Sequence, residues 1–270
     1  QKRCRCPQKN CQMSQYETMI ASCAAFAVEL AEFARHLLIE FEHAPLNVEL
    51  KTDRSFVTAM DARIETELRA MISGRWPEHG IIGEEEKWHA PDAEWVWVLD
   101  PIDGTAAFIV GLPVYGTLIA LAYRGAPVIG IIDIPKLDLR WTGIAGQSTT
   151  LNGSPCKVQA PASLSAAILS TSNPDFYSED ERPALHTMRD ATSWRIYGGA
   201  ALSYGRLAEG RLHLSMDSGL KIYDFASFRP IIEGAGGIIT DWNGAPITLA
   251  SGPRILAAAD TKQHQEALSL

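Results

Sequence analysis

Long apolar runs are missing from this 270-residue chain: the most hydrophobic early stretch, "IASCAAFAVELAEFARHLL", is broken by Glu29, Glu32 and Arg35 at helical spacing. It reads as an amphipathic surface helix, and a membrane span is excluded. The first dozen residues are basic and polar with no apolar segment behind them, so no secretory signal is visible and a cytoplasmic location is expected. Positive charge is in short supply. The 24 Lys and Arg against 32 Asp and Glu leave a net charge of -8, which argues against nucleic acid or an anionic membrane as partner.

Nucleophile motifs are also absent. There is no G-x-S-x-G, and His36, His43, His79, His89, His186, His213 and His264 form no recognisable pattern, so a serine hydrolase has no support. No internal repeat or low-complexity tract is present. The five cysteines are uneven: Cys4, Cys6 and Cys11 crowd the start, with Cys23 and Cys156 apart, which does not suggest a disulfide framework. The first three could be thiolate ligands for zinc, but zinc usually takes four ligands and nothing nearby completes the set. Residues 1–12 therefore read as a disordered leader or artefactual extension ahead of Met13.

What is present suffices for a sizeable core, in one large domain or two smaller ones, since 46% of the residues are hydrophobic. One helix is expected over 17–43, ended near Pro45. A second is expected over "TAMDARIETELRAMISGRW", with Ile64, Leu68, Met71 and Ile72 at helical spacing, Gly74 and Pro77 at its end and Asp61 near its start. Then "GIIGEEE", "EWVWVLDPIDG" and "GTLIALAYRGAPVIGIIDIP" read as strands, the last as a hairpin. The stretch "GIAGQSTTLNGSPC" marks a boundary between an N-terminal α+β subdomain, 13–148, and a C-terminal α/β subdomain, 149–270. In the second, strands are expected at "AAILSTS", "LHLSM", "GIITDW" and "RILAAA". Helices are expected at "AALSYGRLAEG" and from Asp224 to about Glu233, the latter kinked by Pro230.

The chemistry concentrates in "VWVLDPIDGTAAF", where an apolar strand ends in two aspartates. Pro101 sets the angle at which the chain leaves the strand, and Gly104 permits a tight turn that a ligand can approach closely. If "GTAAF" opens a helix, the N–H groups of Gly104 and Thr105 form an anion cradle beside Asp100 and Asp103. Carboxylates and an anion repel unless a cation lies between them. Carboxylate oxygens without His or Cys suit Mg²⁺, Mn²⁺ or Ca²⁺, and Mg²⁺ is the usual bridge to phosphate. Glu84, Glu85, Asp61 and Asp224 lie at similar element ends. Taken singly, each has a plainer reading: Asp61 and Asp224 as helix caps, "GEEE" as a solvated charge run, D-x-x-D-G as a turn.

In their order and spacing, "VTAMD", "IIGEEE", "LDPIDGT" and "YDFASFRPIIEGAGG" resemble the inositol monophosphatase superfamily of magnesium-dependent phosphatases over nearly the whole chain after Met13. "FIVGLPVYGTLIAL", "VIGIIDIP", "TSNPDF", "SGLKIYDF" and "EGAGGIITDW" look most like its histidinol-phosphatase branch. The resemblance implies an α/β (α+β) fold, a layered α/β/α/β/α sandwich of the inositol monophosphatase and fructose-1,6-bisphosphatase type. It implies a homodimer with the site in a cleft between the subdomains. By the same resemblance Glu84, Asp100, the Ile102 carbonyl and Thr105 hold a first Mg²⁺, and Asp100, Asp103 and Asp224 a second. A third, weaker ion lies near Glu84 and Asp61. Asp61 with the Thr105 hydroxyl orients the attacking water, and Gly104 and Thr105 hold the phosphate.

Two departures bear on the substrate. Histidinol phosphatases commonly carry a basic residue after D-P-I-D-G-T and an Asp within the segment written here "YGGAALSY", where this chain has Ala106 and Ala200; "GAA" is closer to the inositol phosphatase form. Asp217 stands where the family usually has Glu and could receive a substrate hydroxyl or ammonium. The expectation is a phosphomonoesterase that hydrolyses L-histidinol phosphate in histidine biosynthesis by a metal-activated water. Inositol-1-phosphate or a broad range of sugar phosphates is the alternative substrate. A non-catalytic sensor of phosphate or metal with the same fold is the alternative of another class.

Overall fold

The computed structural model describes residues 7–40, 48–50 and 56–270. Helix α1 (Pro7–Glu40) leads to β1 (Val48–Leu50), which pairs antiparallel with β2 (Phe56–Thr58), and then to α2 (Ala59–Arg75). A seven-stranded sheet follows in chain order: β3 (Gly80–Gly83), β4 (Trp95–Asp103), β5 (Gly116–Tyr123), β6 (Ala126–Ile134), β7 (Leu139–Ile144), β8 (Thr150–Leu151) and β9 (Ser154–Pro155). Only β3 and β4 are parallel; the other neighbours are antiparallel. The short helix α3 (Thr105–Val110) interrupts the run between β4 and β5.

The second sheet has five strands: β10 (Ile168–Thr171), β11 (Trp194–Tyr197), β12 (Leu214–Asp217), β13 (Ile238–Asp241) and β14 (Ile255–Ala258), ordered β11-β10-β12-β14-β13. Its connections carry α4 (Arg182–Ala191), α5 (Ala200–Ala208), α6 (Ile222–Phe225) and α7 (Phe228–Gly234), and α8 (Thr261–Leu268) closes the chain.

Alternation along the strands sets five layers. On β4, β5 and β6 the residues Trp97, Leu99, Ile119, Leu121, Ile129 and Ile131 face α1 and α2, which present Leu30, Ala34, Ile64 and Leu68. Their neighbours Leu118, Ile132 and Ile134 face the other way, onto Tyr204 of α5 and Phe228 and Ile231 of α7. The same middle helices take Ile239, Ile255 and Ala257 from the second sheet, whose far face, Leu169, Leu214 and Leu256, packs on Leu185, Met188 and Ala267 of α4 and α8. The expected α/β/α/β/α sandwich is the observed one. Helix α7 reaches the first sheet because two of its strand positions lack side chains. A Cβ on Gly143 would lie 2.4 Å from the Ile231 nitrogen, and one on Gly130 would lie 2.1 Å from the Ser227 carbonyl.

Several details differ from the sequence expectations. The first helix begins at Pro7, within the stretch read as a leader, so Cys11 lies on it; Cys4, Cys6 and the expected stop at Pro45 lie outside the described residues. The first sheet runs on to Pro155, beyond the boundary expected at 148/149, because β8 and β9 pair back onto β7. The single kinked helix expected from Asp224 is two helices, broken at Ala226 and Ser227. Pro230 sits in the first turn of α7, where an amide has no helical acceptor and its absence costs nothing.

Candidate active site

The acidic residues gather where β3 and β4 end and four helices begin. Asp61 occupies the third position of α2 and is held by the residue that caps the helix, Thr58: the Thr58 amide donates to its Oδ2 at 2.8 Å and the Thr58 hydroxyl to the same oxygen at 2.5 Å. This is a capping box, with the Thr58 hydroxyl accepting in turn from the Met60 amide at 3.2 Å. Burial pushes the Asp61 carboxyl above the usual aspartate range, and Glu85 adds to it, while the Thr58 donors oppose the rise.

The ladder between β4 and β5 slips between Asp100 and Asp103, so the end of β4 bulges. The Thr117 hydroxyl pins the bulge by donating to the Pro101 carbonyl at 2.8 Å. Gly104 then takes φ 78°, a left-handed conformation that leaves a side chain strained, and α3 starts at Thr105. The Thr105 hydroxyl donates to the Ile102 carbonyl at 3.0 Å and stands 3.5 Å from Asp61 Oδ1. The two expected partners of the attacking water are therefore adjacent.

Packed against this turn, Ala200 opens α5 with φ 44°, an uncommon value for a residue with a side chain. Its methyl lies 3.6 Å from where a Cβ on Gly104 would stand, and the next amide, Ala201, donates to Asp103 Oδ2 at 2.8 Å. The Lys221 amide donates to Asp224 Oδ2 at 2.5 Å. Two backbone donors from the middle helical layer thus fix Asp103 and Asp224 from the side opposite Asp61.

Electrostatics show that these groups share one space. Asp100, 1% exposed, is pushed well above the usual range by burial first and then by Glu84, Asp103, Asp224 and Asp61. Asp103 is raised to about 7: burial leads, the Ala201 amide opposes it, and Glu84 and Asp217 add to it. Asp224 is raised by burial and by Asp103 and Glu84, against the Lys221 amide. Carboxylates so placed favour a proton or a cation. Asp100 Oδ1 is buried with no hydrogen-bond partner among the described residues, which is what a hard cation would supply. Among the described residues no three acidic, His or Cys side chains close around one point, so an ion here would be held by one or two carboxylates with carbonyl oxygen and water completing its shell.

Asp217 differs from the expectation of a substrate contact. It is 2% exposed at the end of β12; its Oδ1 accepts from the Thr171 hydroxyl at 3.0 Å and the Ser172 amide at 2.6 Å, its Oδ2 from the Tyr204 hydroxyl at 2.8 Å. Both oxygens are engaged by the protein, and the residue braces the wall of the site from behind. Sequence reading also passed over Glu65, four residues after Asp61 and fully buried at 0% exposure. Its carboxylate accepts the amides of Glu85 and Glu86 at 2.7 and 3.0 Å. The visible signal was an acid on the stripe of Ile64, Leu68 and Ile72, where an apolar residue belongs.

Residues 19–269 match the model of the inositol monophosphatase family. The chain belongs to that family. Its members are phosphoric monoester hydrolases, metal-dependent and usually served by Mg²⁺. The chain is 40% identical over 261 residues to the chloroplastic bifunctional phosphatase IMPL2 of Arabidopsis thaliana, covering 93% of this chain and 75% of that one. It is 35% identical over 223 residues to the histidinol-phosphatase of Chlorobaculum parvum, covering 81% and 85%. Among solved structures, an inositol monophosphatase from Zymomonas mobilis superposes with a TM-score of 0.84 at 37% identity, covering 92% and 97%.

Proposed function

We propose that this inositol monophosphatase family member is a Mg²⁺-dependent phosphomonoesterase whose preferred substrate is L-histidinol phosphate, cleaved to L-histidinol and phosphate. The observation that carries the chemistry is the group of mutually repelling carboxylates, with Asp61 and Asp100 buried and Glu84, Asp103 and Asp224 half-buried, including the unpartnered Asp100 Oδ1, set beside the left-handed turn at Gly104. Glu84, Asp100, the Ile102 carbonyl, Asp103 and Asp224 would hold two or three Mg²⁺, which supply positive charge to the phosphate and acidify water.

The chain's own part follows from the geometry. Asp61, held by Thr58 and raised in pKa by burial, is a competent base, and Thr105 Oγ1 at 3.5 Å flanks the same position. A water touching both loses its proton to Asp61 as its oxygen bonds to phosphorus; the ester P–O bond on the opposite side breaks, and the departing alkoxide takes a proton from solvent water. The amides of Gly104 and Thr105, at the start of α3 where helical acceptors are lacking, hold phosphate oxygens. A non-catalytic sensor would need no base beside the turn. Absence of phosphate release from every phosphomonoester tested would restore that reading.

Support for histidinol phosphate is the likeness to the histidinol-phosphatase of Chlorobaculum parvum. The second substrate reading, inositol-1-phosphate or another polyol phosphate, is favoured by Ala200, a small neutral side chain packed beside Gly104. Steady-state phosphate release with Mg²⁺ separates the two. A kcat/KM at least about tenfold higher for histidinol phosphate than for inositol-1-phosphate is expected; the reverse order would overturn the substrate and leave the reaction standing. The same reading carries a homodimer, for which light scattering would return a mass near twice that of the 29.5 kDa chain.

A further inference from the structure

Glu65 is an anomaly in α2. It shares the buried face with Ile64, Leu68 and Ile72, and a carboxylate at 0% exposure loses its hydration. A pair with Arg69 one turn on could have formed at the surface, where such pairs add a few tenths of a kcal/mol. The structure instead turns the carboxylate inward, onto the loop that follows β3. Oε2 accepts the Glu85 amide at 2.7 Å; Oε1 accepts the Glu86 amide at 3.0 Å and Arg69 Nε at 2.8 Å. Arg69 Nη2 also donates to the Glu86 carbonyl at 3.2 Å, closing the clamp.

The loop is shaped to admit that carboxylate. A Cβ on Gly83 would lie 2.0 Å from Glu65 Oε1, so the glycine that ends β3 keeps the space the carboxylate occupies. Gly83 and Glu85 are the two neighbours of Glu84: the first leaves room for the buried carboxylate, and the second is held by it through its amide.

We propose that Glu65 is a positioning residue for the metal platform: by clamping the backbone of residues 85 and 86 against α2, it sets the direction in which Glu84 leaves β3 toward Asp100. The proposal rests on the reading of Glu84 as a metal ligand. Partners one step behind a ligand are worth about 10–100-fold in metal affinity or activity. Glu65→Gln keeps the shape and replaces one acceptor oxygen by an amide group that cannot accept an N–H. Gly83→Ala attacks the same clamp from the other side, keeping the Glu65 carboxylate but pushing it off its position.

The test is Mg²⁺ binding by calorimetry to the full chain, beside phosphate release as a function of Mg²⁺, for wild type, both variants and Ile72→Val as a packing control. Urea midpoints are measured in parallel. The expected result is a Mg²⁺ dissociation constant raised about tenfold or more in Glu65→Gln and Gly83→Ala and unchanged in Ile72→Val. At saturating Mg²⁺, kcat returns toward wild type and the substrate KM stays within about twofold, a rescue that a merely structural role would not give. Wild-type Mg²⁺ affinity in either folded variant would overturn the proposal while the phosphatase reading stood. A wild type that releases phosphate without binding Mg²⁺ would overturn the proposal together with the assignment of Glu84 as a metal ligand.

Discussion

Replacing Asp103 by asparagine should make the metal-free protein more stable while disabling it. The Asp103 carboxyl is held at about 7 by burial, opposed by the Ala201 amide and reinforced by Glu84 and Asp217. Against an ordinary value of about 3.9, the rise is about three units, or roughly 4 kcal/mol at full strength. Asp103 is half-buried and in part screened by water, so the realised cost of ionisation is roughly 1–3 kcal/mol. The folded protein binds the proton more tightly than the unfolded chain. Stability is therefore fully present below about pH 4, declines as pH rises through about 7, and stays low above it.

The asparagine side chain carries no charge, and its carbonyl oxygen can still accept the Ala201 amide. In EDTA at pH 8, Asp103→Asn should melt roughly 2–12 °C above wild type, at about 2–4 °C per kcal/mol for a chain of this size. At pH 4 the two should coincide. Adding Mg²⁺ should raise the wild-type midpoint and move the variant much less, since a ligand that binds only the folded state stabilises in proportion to its affinity. The assay is thermal unfolding by circular dichroism across pH, with and without Mg²⁺. A variant less stable than wild type in EDTA at pH 8 would refute the reasoning, because the carboxylate would then be supported by the apo fold.

Two further outcomes follow from the packing. Thr58→Val removes the cap of α2 and the hydroxyl that holds Asp61, so a loss of about 1 kcal/mol in urea unfolding should accompany a fall in kcat. The same stability loss with unchanged kcat would show that Thr58 supplies only the cap. Gly143→Ala drives a methyl to within 2.4 Å of the α7 backbone and should cost about 1–3 kcal/mol by urea denaturation, without altering the KM for Mg²⁺ if α7 merely shifts outward. A neutral result would mean that α7 does not rest on the sheet as described.

The parts of the site that were legible in the sequence are those where chemistry and local backbone coincide. "LDPIDGT" signals a disturbed strand end and a left-handed turn: the turn stands at Gly104, while the strand runs on through Pro101 to Asp103 and only its ladder breaks after Asp100. "TAMD" is a capping box whatever else it does. What was not legible depends on partners far away in the chain. Nothing local says that Asp217 turns to Tyr204 and Ser172, or that Glu65 meets the amides of Glu85 and Glu86. The break between α6 and α7 was missed for a similar reason. Asp224 to Glu233 has a helical pattern, and only the approach of Ser227 and Pro230 to Gly130 shows where the chain must bend. The short strands β8 and β9 and helix α8 have too few apolar residues to declare themselves, and they are placed by the sheets they join.

The most direct test of the site is phosphate release from histidinol phosphate by wild type and Asp100→Asn, each with Mg²⁺ and with EDTA. Asp100 is chosen because its buried Oδ1 has no protein partner among the described residues and stands at the centre of the repelling group. The expected result is turnover by wild type that EDTA abolishes, and a kcat at least about a hundredfold lower in an Asp100→Asn protein that is folded by circular dichroism. Turnover by folded Asp100→Asn within a few-fold of wild type, or wild-type turnover indifferent to EDTA, would contradict the assignment of this strand end as the metal platform of a phosphatase.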